Sequence, residues 1–231
     1  MKRLSLATPC LLLAYLIAGC AGSPPKGPVP NVVGAPAYKA GDRWTYQVVD
    51  GYLGEVVRSF TDVVASVDAD TIRLDSGKDV APTLLNANAN PVQAVTPRSP
   101  VAITYQPYFP SYAFPLAPGK SWRQTYAYED PATHRRITGK ALVQVRNWER
   151  VKVPAGEFDA LRITRQMYPQ DEEWWRFSTY AFETEWYVPA LKRFVRLEQN
   201  SEYYNKSVRR TSSLQRGDWS IVELTDRAVS D

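Results

Sequence analysis

In residues 148–165, WERVKVPAGEFDALRITR, apolar and polar positions alternate twice, with a turn between the two runs. Val151 and Val153 take turns with Arg150 and Lys152, and Leu161 and Ile163 with Arg162 and Thr164. Each arm therefore offers one apolar face and one wet face, the period of a half-buried strand. Pro154 fixes φ and gives up a ladder donor, and Gly156 accepts a positive φ, so the segment predicts a β-hairpin, with Phe158 capping the core at that end. The same period puts Trp44, Tyr46 and Val48 on one face of a strand, followed by a turn at Asp50 and Gly51 and a second strand over 53–60. Short strands over 63–67 and 71–74 flank the turn residues Asp68, Ala69 and Asp70, and four more are predicted over 174–177, 182–188, 194–200 and 219–225. No stretch carries a convincing helical period. The pattern predicts an all-β, mainly antiparallel domain over 38–231.

Between these strands lies a long interruption. Residues 76–118 hold Pro82, Pro91, Pro97, Pro100, Pro107, Pro110, Pro115 and Pro118, a density that argues against a helix or a central strand and predicts a long loop. Its second half interleaves Tyr105, Tyr108, Phe109, Tyr112 and Phe114 with prolines, too apolar a run for a solvated linker. It is expected to lie on the sheet, as a lid over an open end or as a contact surface for a ligand or partner. After it, Gly119-Lys-Ser-Trp122 repeats the Gly-x-x-Trp of Gly41 to Trp44, which suggests two similar halves, although convergent strand chemistry explains so short a repeat equally well.

The first residues change the picture from fold to address. Lys2 and Arg3, an apolar run over 11–18 and small residues after it form a secretory signal, and the run is far shorter than the roughly 20 residues of a membrane-spanning helix. Ile17, Ala18, Gly19 and Cys20 stand in the order aliphatic, small, small, cysteine, which resembles a bacterial lipobox. That resemblance implies cleavage after residue 19 and acylation of Cys20. With about 0.8 kcal/mol per buried methylene, two or three acyl chains anchor a domain stably. Ala21 is not the aspartate associated with inner-membrane retention in enteric bacteria, so the resemblance implies the periplasmic face of the outer membrane. Residues 20–37, rich in Pro and Gly, are expected to be a flexible tether.

Composition and charge then remove function classes. Of the two cysteines, Cys10 leaves with the signal and Cys20 is the acylated one, so no mature thiol remains for a disulfide, a thiolate site or zinc. The net charge of +4 falls to +2 without Lys2 and Arg3, and no basic run points to nucleic acid. His134, the single histidine, sits in a turn, DPATHRRITG, and no Gly-x-Ser-x-Gly elbow accompanies it. Asp171, Glu172 and Glu173 are adjacent and diverge, while Glu183 and Glu185 share a strand face and read as solvated. No catalytic residue, metal or cofactor is expected. Aromatic residues are abundant, and Trp174, Trp175 and Trp186 join the 105–114 aromatics as candidate contact residues, with core packing the competing explanation for each.

The residues also carry a family likeness. VKVPAGEFDALRI followed by EWYVPALKRFVRLE resembles a pattern of bacterial envelope lipoproteins whose domain bears only an unknown-function label. Their fold is similar to the half-barrels of LolA and LolB, and the likeness implies a curved sheet with an apolar concave face. It covers roughly 119–200 and brings no catalytic residues. The expectation is a lipid-anchored envelope protein that binds an apolar or glycan ligand, with an assembly lipoprotein binding protein partners as the alternative and a hydrolase a distant third.

Overall fold

The computed structural model describes residues 23–96, 99–131, 133–206 and 213–230, so the signal sequence and Cys20 lie outside the described residues. The strands are β1 Arg43–Asp50, β2 Val56–Val67, β3 Thr71–Asp75, β4 Thr83–Asn86, β5 Pro91–Thr96 and β6 Ser99–Gln106. They continue as β7 Ser121–Glu129, β8 Arg136–Val153, β9 Gly156–Pro169, β10 Arg176–Val188, β11 Arg193–Asn205 and β12 Ser213–Ala228. Each pairs antiparallel with its neighbours in chain order, and β12 returns to β1 to close a barrel. The all-β, antiparallel expectation holds, whereas the half-barrel does not. Closure rests on the ladder from Arg43 opposite Ala228 to Asp50 opposite Ser220, between strands at opposite ends of the chain.

Alternation decides which side chains enter the barrel. Trp44, Tyr46 and Val48 of β1 are fully buried, as are Val143 of β8 and Leu161 and Ile163 of β9. The opposite phase carries Lys140, Gln144 and Arg146 on β8, Arg162, Thr164 and Gln166 on β9, and Arg196 and Glu198 on β11. This is the reverse of a membrane-spanning barrel, whose outer face is an apolar band. The 148–165 hairpin forms as β8 and β9, turning at Pro154 and Ala155 with Gly156 at φ +128°, and Phe158 packs against the core there. The Ala155 N–H donates to the Leu224 carbonyl at 2.9 Å, joining the hairpin tip to β12.

The expected loop over 76–118 is corrected in its first part, which forms β4, β5 and β6. Its prolines are tolerated because Pro91 opens β5 and Pro100 lies next to the β5–β6 turn, outside the paired positions. The connections over 76–82 and 87–90 stay irregular, and so does the longer stretch over 107–118, whose middle turns into the barrel. The Arg165 guanidinium donates to the Ser111 carbonyl at 3.0 Å, Tyr112 and Phe114 pack on Tyr187, and Leu116 is fully buried. The expected tether is corrected over 23–37. Leu116 and Val33 exchange backbone hydrogen bonds at 2.8 Å, the Arg150 N–H donates to the Ser23 carbonyl at 2.8 Å, and Val29 and Val33 join the core around Leu116. A segment without a strand period still docks when two valines find an apolar groove and its backbone finds partners.

The Gly-x-x-Trp repeat has a structural counterpart. Gly41 (φ +91°) and Gly119 (φ +87°) adopt the same left-handed conformation before β1 and β7. The Gly41 N–H donates to the Val64 carbonyl and the Val64 N–H to the Asp42 carbonyl; Gly119, Val145 and Lys120 repeat this bonding. Each six-strand half of the barrel thus opens with one backbone clasp. A 3-10 turn, Pro189–Leu191, follows β10, and Lys192 after it has φ +61°. Its carbonyls take the Trp44 indole N–H (Leu191, 2.9 Å) and the Tyr38 hydroxyl (Lys192, 2.9 Å), which packs this end of the barrel.

Candidate ligand cavity

The inner phase of β9 and β10 builds the polar floor of a cavity. Arg165 keeps step with Leu161, Ile163 and Met167, while Glu183 and Glu185 keep step with Ala181 and Tyr187, so all three charged groups point inward. Arg165 is only 2% exposed, and its guanidinium lies 2.7 Å from Glu185 and 3.4 Å from Glu183. Across the floor Arg193 pairs with Asp62 at 2.8 Å and stacks over the rings of Trp44, Tyr46 and Phe194. Burial opposes the charge on both arginines, yet Glu185 and Glu183 hold Arg165 protonated, as Asp62 holds Arg193. For Glu183 the balance is opposite. Burial raises its carboxyl above the ordinary value, and Arg165 and the Gln199 amide, which donates at 2.6 Å, only partly offset this.

Above that floor the walls are apolar and aromatic. The cavity measures about 410 Å³ and is bounded by Phe60, Ile103, Tyr105, Phe109, Tyr126, Tyr128, Met167 and Leu197 among others. Tyr105 packs edge-on against Tyr126 and Tyr128 and against the Phe109 ring at 5.3 Å. Burial, with neighbouring acidic groups and phenols adding to it, pushes the Tyr105 and Tyr126 phenols well above their usual range, and Tyr128 to about 12. These hydroxyls stay neutral, and the Tyr126 and Tyr128 rings stack on each other. Arg58, Tyr128 and Pro169 carry the lining to the barrel end formed by the β1–β2, β7–β8, β9–β10 and β11–β12 connections.

Of the residues singled out in the sequence, Tyr105, Phe109 and Tyr112 line this cavity. Tyr112 donates its hydroxyl to Glu185 and lies under the Arg165 guanidinium. Phe114 goes deeper, packing with both hydrophobic clusters, and Tyr108 is half-buried away from the lining. The three tryptophans are not brought to it. Trp174 and Trp175 precede β10, so strand alternation does not place them: Trp174 is 87% exposed, while Trp175 packs edge-on against Tyr203 beneath Arg176. Trp186 is half-buried and packs against the core, donating to Glu149 at 3.2 Å with Arg196 over its ring. The solvated reading of Glu183 and Glu185 is corrected, since both lie inside the barrel; the missed signal was their shared phase with Ala181 and Tyr187. His134 sits in an exposed turn, 3.1 Å from Glu129. Among the described residues no cluster of His, Cys, Asp and Glu has a metal-binding arrangement.

No protein-family model matches the chain, and no curated protein matches it. Solved structures do. A protein of Parabacteroides distasonis provisionally described as a lipoprotein superposes with a TM-score of 0.51 at 14% identity, over 87% of this chain and all of that one. An exported protein of Bacteroides fragilis, provisionally so described and with a YmcC-like fold, gives 0.46 at 14% identity over 85% and 99% of the two chains. The hypothetical lipoprotein YmcC of Escherichia coli gives 0.49 at 11% identity over 82% and 89%. At these identities the likeness is one of fold, and it is carried by the Parabacteroides protein.

Proposed function

We propose that this chain is a lipid-anchored protein of the bacterial envelope, on the periplasmic face of the outer membrane, that binds a small apolar or glycan ligand inside its barrel without transforming it. The observation that carries the binding reading is the cavity of about 410 Å³, within the range of small-molecule sites, with aromatic walls and a few convergent polar groups. Closure turns the concave sheet face expected from the sequence into a lumen, and Tyr105, Phe109 and Tyr112 form part of its wall. The floor groups are committed to one another, Arg165 to Glu185, Arg193 to Asp62 and Glu183 to Gln199, which suits holding a ligand more than attacking it. Anchoring rests on the lipobox ending at Cys20, and the provisional description of the Parabacteroides protein accords with it.

A second reading, a docking platform for protein partners, has one observation in its favour. Tyr52, Leu53, Val56, Val57 and Trp174 are exposed at the barrel end that the cavity lining reaches. The two readings part in one experiment. The full chain, exported with Cys20→Ala so that no acyl group accompanies it, is purified from its own periplasm without detergent and weighed by native mass spectrometry. Bound mass that disappears in Ile103→Trp and in Ala181→Phe, both of which fill the lumen, is the expected result. A ligand-free mass overturns the binding reading in favour of protein partners. Hydrolysis of esters or glycosides that His134→Ala abolishes replaces both with an enzyme.

A further inference from the structure

Of the three arginines that line the cavity, one differs from the other two. Arg58, the third residue of β2, lines the cavity near the barrel end and stacks over the Phe60 ring at 5.3 Å. Among the described residues no carboxylate lies within ion-pair distance of it, in contrast to Arg165 and Arg193 deeper in the lumen. The lining therefore has three layers: a compensated charged floor, an apolar and aromatic belt, and a single half-exposed guanidinium above them.

Each layer restricts the ligand. A charged head would be costly at the floor, where it must break an existing ion pair or sit unpaired in low dielectric. Next to Arg58 it gains a charge-assisted partner able to bind two of its oxygens at once while keeping part of its hydration, and a guanidinium suits the planar carboxylate and the phosphate alike. An apolar body then fits the belt of Phe60, Ile103, Phe109, Met167 and Leu197. Resting on the ligand-cavity reading above, we propose that the occupant is an anionic amphiphile, one carboxylate or phosphate on a compact apolar body, held by its head at Arg58 with its body above the Arg165–Glu185 floor.

The test uses four eight-carbon probes, octanoate, octyl phosphate, octanol and octyltrimethylammonium, titrated calorimetrically into the full chain exported with Cys20→Ala. The expected result is that at least one anion binds tenfold or more tighter than octanol and that the cation binds worst. Octanoate tighter than octyl phosphate points to a fatty acid as the natural occupant, and the reverse order to a phosphate-bearing lipid. Arg58→Gln abolishes the preference for the anions over octanol, and Arg58→Lys retains most of it. Unchanged circular dichroism checks that the variants fold. Equal binding of all four probes, or an anion preference that survives Arg58→Gln, overturns the anionic head while leaving the cavity reading intact. Binding of none of them, beside an occupied lumen in native mass spectrometry, overturns the amphiphile alone; with an empty lumen it overturns the cavity reading as well.

Discussion

Asp42 shows how much one side chain can hold in place. It accepts from the Lys192 ammonium at 2.8 Å, from the Lys39 N–H at 3.0 Å and from the N–H and hydroxyl of Ser230 at 2.8 and 2.7 Å, tying the entry of β1 to the turn after β10 and to the end of the chain. Burial alone would raise its carboxyl, but these donors outweigh burial and hold it at about 2, against 3.8 for a free side chain. A carboxyl depressed in the folded state contributes stability that is present above the unfolded value and lost as pH falls through the folded one. The urea midpoint of the native chain should therefore drop between pH 4 and pH 2. Asp42→Asn should lower the midpoint at neutral pH and flatten that drop. A slope through this window unchanged in Asp42→Asn would mean that other carboxylates carry it. Neither this cluster nor the Arg165–Glu185 pair was legible in the sequence, because a charged residue in the inward phase looks like a break in an apolar stripe until its partner elsewhere in the chain is known.

Among the strands, legibility followed length and purity of alternation. β1, β8 and β9 were readable because their inward positions are aromatic or aliphatic over several periods. β4 to β6 were not, since four to eight residues bracketed by prolines carry too few periods to outweigh the local signal for a loop. Gly139 of β8 illustrates what pairing adds to pattern. It lies opposite Tyr126 of β7, and a Cβ built there would stand 2.5 Å from the ring. The missing side chain leaves the seat for a tyrosine of the cavity wall. Gly139→Val should displace that ring and cost about 1 to 3 kcal/mol, as overpacking of a well-filled interior does. Chemical denaturation gives the loss of stability, and the tyrosine band of the near-ultraviolet circular dichroism reports the ring. An unchanged midpoint would mean that the ring has room to turn aside.

For the whole molecule, closure is the feature that local patterns could not announce, since Arg43 and Ala228 stand in the first and last strands of the chain. Closure leaves no unpaired edge strand among the named strands, but the ring of ladders is uneven. β8 and β9 pair from Gly139 to Val153 with one bulge after Val145, whereas β6 meets β7 only through Tyr105 opposite Tyr128 and Gln106 opposite Ala127, and β4 meets β5 only through Leu84 opposite Gln93 and Leu85 opposite Pro91. Local opening favours the place where fewest bonds must be surrendered. Deuterium should consequently enter the amides of β6 and the facing end of β7 well before those of β8 and β9, as read by hydrogen exchange with mass spectrometry. Uniform uptake around the ring would instead mark a wall that opens only as a unit. With an early seam beside β6, the barrel behaves as a sleeve whose side fastens weakly there, and because Tyr105 belongs both to that seam and to the cavity wall, a molecule could pass through the side of the sleeve without the ends ever unpacking.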